Sequence, residues 1–144
     1  MAHFTRSVVI DAPVERVFDY WKDPANWPEV WPSMVKSTVV ESVPEGPGTR
    51  HEYEYKMAGI HFKGDGVFTR VVPDEEIVMQ SSGGVESSFD WTFSSEGSST
   101  RMTADVDYTI PVPVLGKLAQ KVVLAQNEHE AEVTLANLKV RMEA

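Results

Sequence analysis

Cysteine is absent from the sequence, which removes thiol nucleophiles, disulfide staples and zinc–thiolate sites from consideration. Positive charge is scarce as well: 13 lysines and arginines face 22 acidic residues, giving a net charge of −9 with no basic cluster. That balance repels phosphate backbones and anionic bilayers, so neither nucleic acid nor an anionic membrane surface is an expected partner. No apolar run approaches the ~20 residues of a membrane span, and "MAHFTRSVVIDAP" lacks the charged-then-apolar pattern of a signal peptide. A soluble cytoplasmic protein without integral membrane association is the expectation. Linkers, repeats and low-complexity segments are missing too, so residues 1–144 are read as one domain, large enough to hold its own core.

Catalytic signatures are equally lacking. The chain has no Gly-rich phosphate loop, no HExxH, no GxSxG and no EF-hand loop. Its four histidines stand at 3, 51, 61 and 129. His51 and His61 fall in opposite phase on neighbouring strands, and His129 in "NEHEAE" reads as a surface or boundary helix residue. No metal and no cofactor is expected.

What is present in excess is tryptophan and proline in one place. "WKDPANWPEVWPS" (21–33) holds three of the four tryptophans and three of the nine prolines. Proline after Trp27 and after Trp31 disfavours α geometry at both indoles, so the stretch must be built of short turns. Asp23-Pro24 is a helix start, with a capping side chain followed by proline in the first turn.

Around this stretch the periodicity is readable. Residues 3–11 are β-branched and form a strand, and 12–22 are helical, with Val14, Val17, Phe18 and Trp21 on one stripe. From residue 34 the period is two, in runs 34–44, 49–58, 60–72, 75–82, 85–95 and 100–110 separated by turn signals such as "PEGPG" and "SSEGSS". Six short-linked strands make an antiparallel meander. The remainder is a long helix of roughly 28 residues spanning about 40 Å, enough to cross the whole sheet. The expected fold is α+β: a seven-stranded curved antiparallel sheet around a long C-terminal helix, with two short helices between strands 1 and 2.

Strand phase separates the faces. His51, Tyr53, Tyr55 and Met57 oppose a charged row; Val85, Ser87, Phe89, Trp91 and Phe93 form a second inward set; Met102, Ala104, Val106, Tyr108 and Ile110 form a third. Ile60, Phe62, Gly64, Gly66 and Phe68 continue in phase to Arg70. Aromatics with polar handles beside small residues describe the lining of a partly wet cavity better than an aliphatic core, although each tyrosine could also pack its ring in a core and turn its hydroxyl to the rim. The expected ligand-binding set is Tyr53, Tyr55, Phe62, Phe68, Arg70, Phe89, Trp91 and Tyr108, with Leu118 and Val122 from the last helix. His51 and Tyr108 are weak catalytic candidates, His51 being either an acid–base group or a satisfied core histidine. Arg70 could grip a carboxylate or phenolate, or form an ordinary salt bridge. Two stripes run along the last helix: Leu115, Leu118, Val122, Ala125 and His129 on one side, and Leu124, Ala131, Leu135, Leu138 and Met142 about half a turn away.

The opening "VVIDAPVERVFDYWKDPANWPEVWPSMVKSTVVE", the meander and the "TLANLK" terminal helix together resemble the START-like superfamily, also called SRPBCC or the birch-pollen-allergen fold. Within it the chain is similar to the polyketide cyclase/dehydrase branch, which includes coenzyme Q-binding proteins. The resemblance implies a helix-grip fold with a deep hydrophobic cavity whose mouth lies near the short second helix, where Trp27 and Trp31 either plug or gate it. It also implies a small hydrophobic ligand, either simply bound or, in an enzyme, cyclised and dehydrated. The family offers no universal catalytic residue. A third expectation is an interaction module that uses the second helical stripe as a dimer surface, and the expected state is a monomer or weak homodimer.

Overall fold

The computed structural model describes residues 2–57, 59–109 and 117–144, with side chains of the last helix described from Lys121 onward. Strand β1 (Ala2–Ile10) leads into helix α1 (Val14–Trp21) and a short 3-10 helix (Pro24–Glu29). The meander follows as β2 (Met34–Glu41), β3 (Arg50–Met57), β4 (Ile60–Val72), β5 (Glu76–Ser82), β6 (Ser87–Glu96) and β7 (Ser99–Tyr108), and α2 (Lys117–Glu143) closes the chain. All seven strands form one antiparallel sheet in the order β1-β7-β6-β5-β4-β3-β2. The helix-grip architecture expected from the sequence is what the chain adopts.

The tryptophan-proline stretch is built as its residue types dictate. Asp23 accepts a hydrogen bond from the Ala25 N–H at 3.1 Å and Pro24 opens the 3-10 helix. The Trp31 N–H then donates to the Trp27 carbonyl at 2.8 Å. That bond puts the two indoles on one side of the turn, facing the core. Trp27 is completely buried and donates its Nε1–H to the Trp21 carbonyl at 2.9 Å. Trp91 from β6 joins them: its ring centroid is 5.4 Å from Trp21 and 5.2 Å from Trp27. All four tryptophans thus form one aromatic cluster, in which each close pair adds about 0.5–1.5 kcal/mol beyond burial.

A glycine inside a strand marks a bulge, a sharp bend or a place where the sheet leaves room, and in β4 that room is taken up by rings from β3. His51 pairs across from Gly66 and Tyr53 across from Gly64, and a β-carbon on Gly66 would stand 2.3 Å from His51 Cε1, one on Gly64 2.7 Å from the Tyr53 hydroxyl. The missing side chains let these two rings lie down over the neighbouring strand, so the space is filled.

Helix α2 resolves the two-stripe ambiguity. Val123, Thr134, Leu135, Leu138 and Met142 are buried, while Val122 is 50 % exposed and Ala125 and His129 are also exposed. The second stripe is core, which removes it as a dimer surface. Polar contacts fasten α2 at both rims. On the β1 side Arg6 donates to Glu128 at 3.2 Å and Glu132 at 3.0 Å. On the other, Asn137 donates to the Val30 carbonyl at 3.0 Å and Arg141 pairs with Glu29.

Candidate functional site

Between the concave face of the sheet and α2 lies a cavity of about 80 Å³. Its wall is mostly aromatic and aliphatic. Phe4, Trp21, Trp31, Phe89 and Trp91 supply rings, Met34, Met57 and Met79 supply flexible thioether chains, and Ala131 and Leu135 close it from α2. Alternation explains the convergence: Tyr53, Tyr55 and Met57 on β3, Phe89 and Trp91 on β6, and Ala104, Val106 and Tyr108 on β7 share one phase, so one curved face presents them all.

Of the residues singled out from the sequence, His51, Tyr53, Tyr55, Phe89, Trp91, Tyr108 and Trp31 are brought together in this wall. Phe62 and Phe68 are not among its lining residues. Phe62 is half-buried at the edge of the core, and Phe68 packs at 6.1 Å from Trp27, behind the wall. Trp27 is likewise absent from the lining, fully buried and edge-on to His51 at 4.9 Å, whereas Trp31 is part of the wall. The Leu118 side chain lies outside the described residues. Val122 points to solvent, since α2 docks about one residue's rotation away and turns Val123 inward.

Arg70 is a correction with a clear cause. The β4–β5 register slips between Phe68 and Arg70, where Thr69 is an extra residue. A bulge of one residue inverts the phase beyond it, so Arg70 emerges on the outer face. There its side chain is 64 % exposed and donates Nε–H to Glu76 at 2.6 Å. Asp90 lies beside that pair, its carboxyl pushed up to about 6 by partial burial and by the hydrogen bond with Glu76. The arginine is an ordinary surface ion pair, remote from the cavity.

The tyrosine hydroxyls are individually placed. Tyr53 donates to the Val85 carbonyl at 3.1 Å and accepts from the Val85 N–H at 2.9 Å, and Ser81 donates to the same carbonyl at 2.6 Å. Tyr108 accepts from Asn127 Nδ2 at 3.1 Å, and burial raises its pKa. Tyr55 donates to Glu130 Oε1 at 3.4 Å; burial first, then the Glu130 charge, pushes its ionisation well above the usual phenol range. Glu130 also accepts from the Ser33 N–H at 3.0 Å and from the Ser33 hydroxyl. One carboxylate therefore ties α2 to β3 and to the end of the tryptophan-proline stretch.

His51 is fully buried, and neither ring nitrogen has a hydrogen-bond partner among the described residues. Burial lowers its pKa to about 4, with Asp65 pulling weakly the other way. The imidazole is neutral near pH 7 and, with no orienting carboxylate bonded to it, makes a weak base. Trp21 Nε1 and Thr134 Oγ1 are also buried without a partner among the described residues. No cluster of three or more metal-ligating side chains exists among the described residues, and no described helix is long and apolar enough to cross a membrane.

Asn127, Glu130 and Thr134 were missed from the sequence. The signal was available: these positions lie on the face of Val123, Ala131 and Leu138 at helical spacing, and polar residues in phase with a buried stripe mark groups that meet other polar groups inside.

Comparison with known proteins agrees with this geometry. TTHA0849 from Thermus thermophilus superposes with a TM-score of 0.83 at 24 % identity, covering 98 % of this chain and 97 % of that one. A START superfamily protein from Mycobacterium smegmatis gives 0.76 at 16 % identity over 94 % and 96 %. The Zhui aromatase/cyclase from a Streptomyces species gives 0.78 at 15 % identity over 99 % and 93 %. At these identities the likeness is one of fold. No curated protein matches the chain. The family model for polyketide cyclase/dehydrase and lipid transport matches residues 1–143, essentially the whole chain, and the protein therefore belongs to that family, within the START-like fold.

Proposed function

We propose that this protein binds a small hydrophobic molecule, of aromatic, polyketide-, quinone- or lipid-like character, between the sheet and α2. The observation that carries the reading is the composition of the wall: converging rings and thioethers with a few polar groups and, among the described residues, no charged side chain. Pockets for apolar small molecules have this make-up. The cavity of about 80 Å³ is well below the ~300–1,000 Å³ of sites for drug-sized ligands, so a ligand larger than a single ring displaces part of the wall. Met34, Met57 and Met79 are suited to that, being unbranched and easily repacked. Native mass spectrometry of the purified protein, alone and after incubation with quinones, polyketides and long-chain lipids, tests the proposal. A one-to-one complex is expected; a protein that stays empty against the whole panel refutes it.

An aromatase/cyclase that uses the same cavity is the second reading, favoured by the fold shared with the Zhui aromatase/cyclase and the di-domain ARO/CYC BexL and by a histidine in the wall. Under it, His51→Ala or Tyr108→Phe lowers turnover far more than affinity. Binding is preferred because a neutral histidine of pKa about 4 is poorly matched to proton abstraction at pH 7.

A further inference from the structure

Three buried polar side chains in the cavity wall lack a hydrogen-bond partner among the described residues: Trp21 at Nε1, His51 at both ring nitrogens and Thr134 at Oγ1. They come from α1, β3 and α2, yet they gather at one end. His51 and Trp21 flank the same indole, Trp27, at centroid distances of 4.9 and 5.4 Å. Thr134 reaches that end from α2, because the residues about one turn on either side of it are tied there. Glu130 holds Ser33 and Asn137 holds the Val30 carbonyl, while Trp31, between those two anchors, stacks on Trp21 at 6.3 Å.

The other polar groups of the wall do not share this condition. Tyr53, Tyr108 and Ser81 are bonded within the protein. Native proteins seldom leave buried donors and acceptors unmade, and the three side chains without partners belong to residues that line one cavity, so a ligand that displaces part of the wall brings its own polar group within their reach. The chemistry of the three is specific. The indole only donates, a neutral imidazole donates from one nitrogen and accepts at the other, and the hydroxyl does either. No lysine or arginine among the described residues lines the cavity, and the side chain that bonds to its wall at Tyr55, Glu130, is acidic rather than basic.

We propose that this end of the cavity recognises a neutral hydroxyl or carbonyl on an otherwise apolar ligand, and rejects the corresponding carboxylate. An incoming hydroxyl or carbonyl oxygen accepts from the Trp21 N–H, and a hydroxyl also donates to His51 or Thr134. An ionised carboxylate enters with no counter-charge and loses its hydration. The inference rests on the carrier reading above and adds the ligand class to it.

The test is isothermal titration at pH 7 with naphthalene, 2-naphthol and 2-naphthoate, three probes of one ring system. The expected order is naphthol about 10-fold or more tighter than naphthalene, the yield of one well-made buried hydrogen bond, with naphthoate the weakest. Thr134→Val, nearly isosteric, is expected to cut the advantage of naphthol over naphthalene several-fold, and His51→Leu is expected to cut the same ratio as a second variant. Equal binding of naphthalene and naphthol to the wild type, or naphthoate as the tightest ligand, overturns the inference and leaves the carrier reading standing. Equal losses for naphthalene and naphthol in both variants do the same. Binding of none of the three, together with an empty protein in the native mass spectra, overturns both.

Discussion

Burial holds the His51 imidazole down at about 4, against 6.5 for an unperturbed histidine, and this fixes a direction for stability against pH. Between those two values the unfolded chain binds a proton at this residue and the folded chain does not, so stability falls as the pH drops from about 6.5 towards 4 and this contribution levels off below. The full span is worth roughly 3 kcal/mol at about 1.4 kcal/mol per pKa unit. Asp90, raised, and Glu76, lowered, titrate in the same acidic region, so the quantity to measure is the difference between two proteins. Urea unfolding of the wild type and His51→Leu at pH 4.5 and pH 7 is expected to show the variant losing less stability on acidification; identical pH slopes would show that the histidine is not what titrates. His51 was legible in the sequence as an inward group because the strand phase is clean. Its contact with Gly66 was not, because cross-strand register, not spacing along one strand, decides which glycine a ring covers.

At the scale of elements the limits of periodicity are visible in two places. Alternation along β3, β6 and β7 put His51, Tyr53, Tyr55, Phe89, Trp91 and Tyr108 on the inward face, where the structure has them, since a strand with one buried face has little freedom to do otherwise. It failed at Arg70, because the extra residue at Thr69 leaves no mark in the pattern and flips every side chain after it. The long helix gave two stripes because Val122, Ala125 and His129 mimic a core face while standing in solvent. Docking chose the other stripe, the one whose neighbours Arg6, Ser33 and Val30 could bond Glu128, Glu130 and Asn137. The choice is testable with a pair of substitutions. Leu138, with no exposed surface, is expected to lose more than about 4 kcal/mol as Leu138→Glu, which buries an unpaired charge, whereas Val122→Glu stays within about 0.5 kcal/mol of the wild type. Circular dichroism and denaturant melts distinguish them. A folded, soluble Leu138→Glu protein would mean that this stripe is surface after all.

For the whole molecule, the same design that places the site also limits its stability when empty. Seven strands close around α2, and α2 is bonded at both rims, but the cavity wall holds buried polar atoms with no partner among the described residues. The sheet order and the enclosing helix were readable from turn spacing and chain length; the orphaned atoms were not, because satisfaction of a hydrogen bond depends on three-dimensional neighbours from α1, β3 and α2 at once. Each unmade bond at a buried group costs about 1–3 kcal/mol, so the empty protein is less stable than its core alone would make it. A ligand that binds only the folded state restores that deficit by mass action, about 2.7 kcal/mol at a hundred times its dissociation constant. For a domain near this size each kcal/mol moves the melting temperature by roughly 2–5 °C. Saturating 2-naphthol is therefore expected to raise the calorimetric melting temperature by about 5–10 °C. Thr134→Val, which removes one unpartnered hydroxyl, is expected to melt no lower than the wild type when empty and to gain less from the ligand. Were the variant to melt well below the wild type with nothing bound, the hydroxyl would be part of the folded core's own bonding and not a contact held for an occupant.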